Sequence, residues 1–430
     1  MSAIARNQTK QSNFLINDKG EQLSFFEHSY KSYAPFSRVT KALTFDSGFD
    51  FGQTVKKDLS KEQEYGDLIT NMIVQIKVPD ISSVTSTTGK NIGYTNAIGH
   101  AIFESIELRF DGELIDKHTS EWLDVWSELT VRPGVQDNYD YLVKKFDNNV
   151  FENFQSGIIY IPLQFWFCQN SSSNNTKNNM ILPLITLADT RIEIIFKMRK
   201  FNDIVVDSTF SGSVPASASS IIDAKLFVDY IILDKTQKTK LLEPDVDRYY
   251  LITQVQELNF GLSANTKTSK VDLQELKYLV TELLWVVISK SSKDVNLYFD
   301  YGNDFSSCNI DPILKTKIKF QGNDRIEELD SEYFNKVEPF MIHDNTPFSY
   351  IHCYSFALSP EDFSQPSGIC NFSEIHNSQL EFTFIDDLGE SELKIFGINY
   401  NVLKVKNGKG TLMNKLSKSV NKNIPAPKCN

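Results

Sequence analysis

Residues Ile106–Trp122 read IELRFDGELIDKHTSEW. Ile106, Leu108 and Phe110 alternate with Ser105, Glu107 and Arg109, so an extended chain puts the apolar set on one face and the polar set on the other. Asp111-Gly112 follows, a dipeptide that tolerates the positive φ of a tight hairpin turn. Beyond the return strand, Trp122, Val125, Trp126 and Leu129 repeat at helical spacing. A short helix over Glu121–Leu129 is therefore predicted, with Ser120 as its cap and Arg132-Pro133-Gly134 as its stop.

This hairpin-then-helix unit occurs twice. FQGNDRI (Phe320–Ile326) precedes SEYFNKVEPF (Ser331–Phe340), and three further blocks recur in the same order. IYIPLQFWF (Ile159–Phe167) corresponds to YIHCYSFAL (Tyr350–Leu358). LPLITLADTRIEIIF (Leu182–Phe196) corresponds to GICNFSEIHNSQLEFTF (Gly368–Phe384), and LFVDYIIL (Leu226–Leu233) to LKIFGINYNVL (Leu393–Leu403). The offset shortens along the chain, and the polar runs Gln169–Asn179 and Ser208–Ser220 account for the extra length of the first copy. Period-two alternation also marks Met72–Val78, Ile192–Met198, Leu226–Ile232, Val295–Tyr301 and Leu380–Phe384 as strands. Many short strands with one short helix per half indicate antiparallel sandwiches rather than a parallel α/β sheet.

The 430 residues exceed what one core usually serves, so two domains are expected. Their junction falls in the polar, proline-containing segment Asp234–Asp247 (DKTQKTKLLEPDVD). We divide the chain into an arm (1–24), a first domain (25–236), a linker (237–246), a second domain (247–411) and a basic tail (412–430). Net charge is -11, which disfavours nucleic acid as a partner of the body. The ends differ: from Asn399 onward there is no acidic residue but seven lysines, and Arg6 and Lys10 stand near the start without an acid. Leu412, Met413, Leu416 and Val420 would share one face of a helix flanked by Lys415, Lys418 and Lys422, suited to an anionic membrane or a minor partner.

Five cysteines without CxxC spacing (Cys168, Cys308, Cys353, Cys370, Cys429) argue against a disulfide framework or structural zinc and fit a reducing compartment. The opening MSAIARNQTKQSNF has no apolar signal-peptide core. The most apolar run, YLVTELLWVVIS from Tyr278, is too short for a membrane helix and contains Glu282. A soluble protein made in a cytoplasm is expected.

Nine segments, in order from Phe25 to Gly410, resemble the major capsid protein family of nucleocytoplasmic large DNA viruses. They are FFEHSYKSYAPFS from Phe25, GDLITNMIVQI from Gly66, IELRFDGELIDKHTSEW, YIPLQFWF from Tyr160, LPLITLADTRIEIIF, VDYIILD from Val228, YFNKVEPF from Tyr333, YSFAL with PSGICNFSEIHNSQL from Tyr354 and Pro366, and YNVLKVKNGKG from Tyr400. Glu374 and His376 stand where that family usually carries Arg and Asp. The resemblance implies an all-β chain of two tandem eight-stranded antiparallel jelly rolls with short helices in loops. It further implies a homotrimer forming a pseudo-hexameric capsomer, neighbouring capsomers, penton and minor capsid proteins as partners, and location in a virion shell assembled in host cytoplasm or a virus factory.

Because jelly rolls also occur as cupin enzymes, a metal site is the natural rival. Cupins cluster histidines with a carboxylate, whereas His28, His100, His118, His343, His352 and His376 are scattered and form no HxH. NGKGT at Asn407 lacks the full phosphate-loop spacing, and neither G-x-S-x-G nor HExxH occurs. Asp386-Asp387 precedes Gly389 in a turn, and Cys370 has no histidine near it in sequence. No catalytic, cofactor-binding or metal-binding set is expected, and no enzyme. The alternative in another class is a β-sandwich carbohydrate-binding or adhesin-type protein. Trp122 and Trp126 suit either a subunit interface or a plug at the end of the first barrel, and Trp166 the core. Asn7, Asn170, Asn174 and Asn371 begin glycosylation sequons, which a polar loop explains equally well.

Overall fold

The computed structural model describes residues 34–45, 48–146, 154–168, 180–303, 310–363, 365–414 and 421–423. Two compact units, Met1–Phe36 and Ser37–Asn430, divide the chain, and nearly all described residues belong to the second. The basic N-terminal arm, His28, most of the Phe25–Ser37 segment, the sequons at Asn7, Asn170 and Asn174, Cys308, Cys429 and Lys415–Val420 lie outside the described residues.

The first half supplies β1 (Phe36–Thr44), β2 (Thr54–Asp58), β3 (Leu68–Val78), β4 (Ile92–Tyr94), β5 (Phe103–Phe110), β6 (Glu113–Thr119), β7 (Gly157–Pro162), β8 (Ile192–Met198), β9 (Val205–Asp207) and β10 (Asp223–Leu233). One sheet has the order β1-β10-β3-β7, a second β2-β8-β5-β6, and β4 pairs with β9 apart from both. The second half supplies β11 (Arg248–Leu262), β12 (Thr268–Asp272), β13 (Leu279–Ser289), β14 (Ile313–Phe320), β15 (Asn323–Asp330), β16 (His352–Ser355), β17 (Cys370–Asn371), β18 (Ser378–Phe384), β19 (Ser391–Lys406), β20 (Lys409–Leu412) and β21 (Asn421–Asn423). Here one sheet runs β16-β13-β19-β11-β21, with β17 and β20 attached, and the other β12-β18-β14-β15. Each half is a jelly roll, and the duplicated blocks occupy matching places: β5-β6 with β14-β15, β7 with β16, β8 with β18, β10 with β19.

Local chemistry produces these matches. Asp111 and Gly112 turn β5 into β6 at φ values of 46° and 86°, and Gln321 and Gly322 turn β14 into β15 at 53° and 82°. Both φ values are positive, the backbone that the right-handed strand twist requires of a two-residue turn. Met72, Val74, Ile76 and Val78 bury one face of β3 as their alternation predicts. In β13, by contrast, almost every residue is buried. Leu283, Trp285 and Val287 enter the core of the second roll, whereas Leu284, Val286 and Ile288 join the cluster that fills the first roll. A sheet covered on both faces explains the unbroken apolar run that β13 shows in sequence.

Four expectations need correction. Val295–Tyr301 is no strand: it turns back after helix Lys290–Asp294, and Asn296, at φ 65°, donates to the carbonyls of Asn202 and Val205 at 2.8 and 2.7 Å. Consecutive burial of Leu297 and Tyr298 is incompatible with a one-faced strand, so the alternation there was fortuitous. The predicted helix spans Ser120–Thr130, but Ser120 lies inside it, and its hydroxyl donates to Glu121 Oε2 instead of capping. Pro133, read as a stop, also opens a second helix, Pro133–Val143, where its missing N–H costs nothing. In the tail, Leu412 belongs to β20, so the predicted helical face does not begin there, and Asn421–Asn423 pair in parallel with β11; Lys415–Val420 lie outside the described residues. The expected linker carries a short helix, Lys235–Leu241, capped by the Asp234 carboxylate, which accepts from the backbone N–H groups of Thr236 and Gln237. No described helix is long and apolar enough to cross a membrane.

Candidate functional site

The helix Ser120–Thr130 follows β6 in the first roll and lies against β11 and β19 of the second. Its first turn carries Glu121, whose carboxylate sits 3.2 Å from Lys394 Nζ of β19. The same ammonium reaches Glu257 Oε1 of β11 at 3.2 Å, and Glu257 Oε2 accepts from Thr119 Oγ1 at 2.9 Å. Arg199 completes the group: Nη1 donates to Ser120 Oγ and to the carbonyls of Ala101 and Phe103, and its guanidinium stacks 4.0 Å over the Tyr298 ring. Burial pushes Glu121 up, but Lys394 and Arg199 outweigh it and hold the carboxyl down at about 2. Lys394 is correspondingly raised above its ordinary value, again against burial, by Glu121 and Glu257. The charges are thus fixed in place by one another.

A second polar layer lies beneath. Asp124 accepts from Lys145 Nζ at 2.6 Å and from the Tyr301 hydroxyl of the second half at 3.0 Å. Ladder-like contacts continue along the edge: Val255 N donates to Asp116 Oδ1 at 3.1 Å, and Gln254 Nε2 donates to the Ile115 carbonyl. Trp122 and Trp126 stack at 5.2 Å, with Trp122 against Phe396 and Trp126 against Phe363 and the edge of His343. These tryptophans therefore seal one roll to the other within a chain, which is neither of the two roles weighed from sequence. Trp166 is buried in the core as expected.

His343 has carboxylates on both nitrogens, Glu282 Oε1 at 2.6 Å from Nε2 and Glu361 Oε1 at 2.9 Å from Nδ1. Burial disfavours its cation, yet Glu282 and the neighbouring hydrogen bonds raise it well above the usual imidazole range. Cys353 joins Glu282 and His343 in a group whose ligand-type atoms all lie within 4.8 Å of one another. Sequence spacing hid this cluster, because its members come from β13, from the turn after helix Glu338–Ile342, and from β16. His100, His118 and His352 are also buried beside carboxylates (Asp124, Asp116 and Asp311), while His376 is exposed.

Between the rolls opens a cleft of about 710 Å³ lined by Glu104, Glu107, Lys117, Lys197, Arg199 and Lys200 from the first and Glu257, Glu275, Lys293, Glu392 and Lys394 from the second. Both signs of charge are interleaved along it. NGKG (Asn407–Gly410) forms the β19-β20 turn, and the Gly408 carbonyl accepts from Asp189 N and Thr190 Oγ1 of the first roll. Cys370 is half-buried in β17, and Asn371 beside it accepts from Ser373 N, so that sequon is engaged in a turn.

The repeat makes one asymmetry plain. In β6, Ile115, Asp116 and His118 are buried, because the second roll covers that edge. Its counterpart β15 is exposed along most of its length. The helical segment after β15 likewise presents Phe340 and Met341, 79% and 56% exposed, with Phe348 nearby at 93%. The edge strand β1, the counterpart of the covered strand β11, is exposed along most of its length, with Val39 half-buried and Leu43 buried.

Comparison with known proteins agrees with this architecture. Residues 24–234 match the family described as major capsid protein N-terminus, and residues 244–411 that described as large eukaryotic DNA virus major capsid protein. The major capsid protein of Pyramimonas orientalis virus is 30% identical, covering 91% of this chain and 93% of its own. That of Paramecium bursaria Chlorella virus 1 is 27% identical, covering 91% and 94%. Among solved structures, PBCV-1 VP54, fitted into a reconstruction of the virophage Sputnik, superposes with a TM-score of 0.74 at 25% identity, over 91% of this chain and all of that one. The Faustovirus major capsid protein shares the fold, with a TM-score of 0.69 at 11% identity over 90% of this chain and 93% of its own. Twin jelly rolls joined through a buried ionic and aromatic seam, with sequence matches over residues 24–234 and 244–411, place this chain in the family of major capsid proteins of large eukaryotic DNA viruses.

Proposed function

We propose that three copies associate head to tail into a ring of six jelly rolls, the capsomer from which a virion shell is tiled, and that the chain catalyses nothing. One observation carries the reading: the surfaces that join the two rolls within a chain recur, uncovered, at the chain's two extremes. The β15 edge with Phe340 and Met341 corresponds to β6 with helix Ser120–Thr130, and β1 corresponds to β11. A contact between different surfaces closes into a ring when its rotation divides the circle, and otherwise grows without limit. Charge supports the pairing: β15 carries Glu327 and Asp330 beside Asp324 and Glu328, which pair with Lys317 and Lys315, whereas β1 carries Lys41 beside Arg38, which pairs with Asp229, and no acid.

Within this reading the rolls are residues 25–236 and 247–411, joined by 237–246, and assembly takes place in the host cytoplasm or a virus factory. Neighbouring capsomers, penton and minor capsid proteins are the further partners, and the basic C-terminal tail is the segment suited to an internal membrane. Native mass of the purified full chain is the test. A species of three times 49.1 kDa is expected, and stable monomers at high concentration would overturn the ring.

A further inference from the structure

We propose that Glu282, His343 and Cys353 bind a divalent zinc-class cation that pins the second roll where the first roll's helix rests on it. The inference is independent of the ring. Carboxylate oxygen, imidazole nitrogen and thiolate sulfur together form a donor set suited to zinc, softer than calcium or magnesium accept. The three donor atoms lie within 4.8 Å of one another. Tetrahedral zinc holds such atoms about 3–4 Å apart. Adjustments on the order of 1 Å, which draw in the longer separations and open the 2.6 Å Glu282–His343 contact, would therefore form the site.

The surroundings are built as a metal site's are. Glu361 Oε1 takes His343 Nδ1 at 2.9 Å and is itself held by Asp344 N at 2.9 Å. That arrangement fixes the ring with Nε2 directed at Glu282, the carboxylate–histidine pairing that orients imidazole ligands. The β13-β19 ladder shifts register between Val280 and Glu282, a bulge that breaks the strand's alternation next to the cluster. Glu282 Oε2 is fully buried with no hydrogen-bond partner, an unmet acceptor in the middle of an otherwise apolar strand. It supplies a fourth donor when the carboxylate binds through both oxygens.

Trp126 meets the His343 ring edge-on at 6.2 Å, so the cation would stiffen the wall on which the first roll packs.

The test uses the purified full chain, equilibrated with zinc sulfate and dialysed against metal-free buffer. Elemental analysis is expected to find one zinc per chain. Exchange for cobalt(II) is expected to give a thiolate-to-cobalt charge-transfer band. The band should vanish in Cys353→Ser and persist when Cys168, Cys308, Cys370 and Cys429 are replaced together by Ser. No retained zinc, no thiolate band in the wild-type chain, or a band that survives Cys353→Ser would overturn the site. The wild-type measurements decide even where a variant fails to fold.

Discussion

The Lys394 ammonium of the second roll lies 3.2 Å from the Glu121 carboxylate of the first, buried with it. Removing one member of such a pair strands the other in a medium that solvates it poorly, which costs far more than the pair contributes. Lys394→Met leaves Glu257 without its ammonium and Glu121 with Arg199 alone. A loss of about 3–5 kcal/mol in urea unfolding is expected. The double variant Glu121→Gln with Lys394→Met should recover part of that loss, since the buried Glu121 charge is gone and only the partly exposed Glu257 is left without its ammonium. A double-variant loss equal to the sum of the two single-variant losses would show the pair to be uncoupled.

Acid acts on the same seam. Glu121 is held at about 2 against an ordinary 4.5, so its stabilisation is complete above pH 4.5 and is lost as pH falls from there through about 2. Thermal melts across that range should show a shallower decline for Glu121→Gln than for the wild-type chain. The decline does not disappear, because Asp124 is likewise held at about 2: burial raises it, and Lys145 and His100 outweigh that effect. Parallel curves would exclude Glu121 as a source of acid sensitivity.

Trp122→Ala empties the contact with Phe396 and half of the tryptophan stack. Truncation of a buried tryptophan costs about 3–5 kcal/mol. Trp166→Ala should cost a comparable amount inside the first roll. The two differ in where the damage appears. Trp122→Ala alone should raise protease cleavage near Lys235–Leu241, because the rolls are held less firmly while each remains folded.

Phe340→Asp combined with Met341→Asp puts charge on two exposed side chains and leaves the core untouched. Surface substitutions of this kind change stability by about 0.5 kcal/mol or less. Melting temperature should therefore hold while native mass falls from three chains to one. A trimer that persists would move the contact elsewhere on the subunit and leave the ring itself intact.

Strands and turns were legible because their causes are local. Met72–Val78 alternates because one face is buried, and Asp111-Gly112 turns because its φ values are positive. The repeat was legible because both copies obey the same rules. Local reading failed where the cause lay elsewhere in the chain. Leu297 and Tyr298 are buried against partners that include Asp203, far away in sequence, so their alternation with neighbours carried no information. Ser120 had the right chemistry for a cap, but Arg199 claims its hydroxyl oxygen. Glu121, Lys394, Glu282 and Cys353 each look ordinary in their own segments and acquire a role only when distant strands meet.

The turn at Asn407-Gly408 reaches back to the first roll, and a side chain at Gly408, where φ is +78°, would collide with Asp189. The polypeptide is thus laced across its waist twice, once at the Glu121–Lys394 seam and again by this late hairpin. Ties at two separate places resist the turning of one roll on the other. Bending of a shell built from such subunits then falls on the contacts between them.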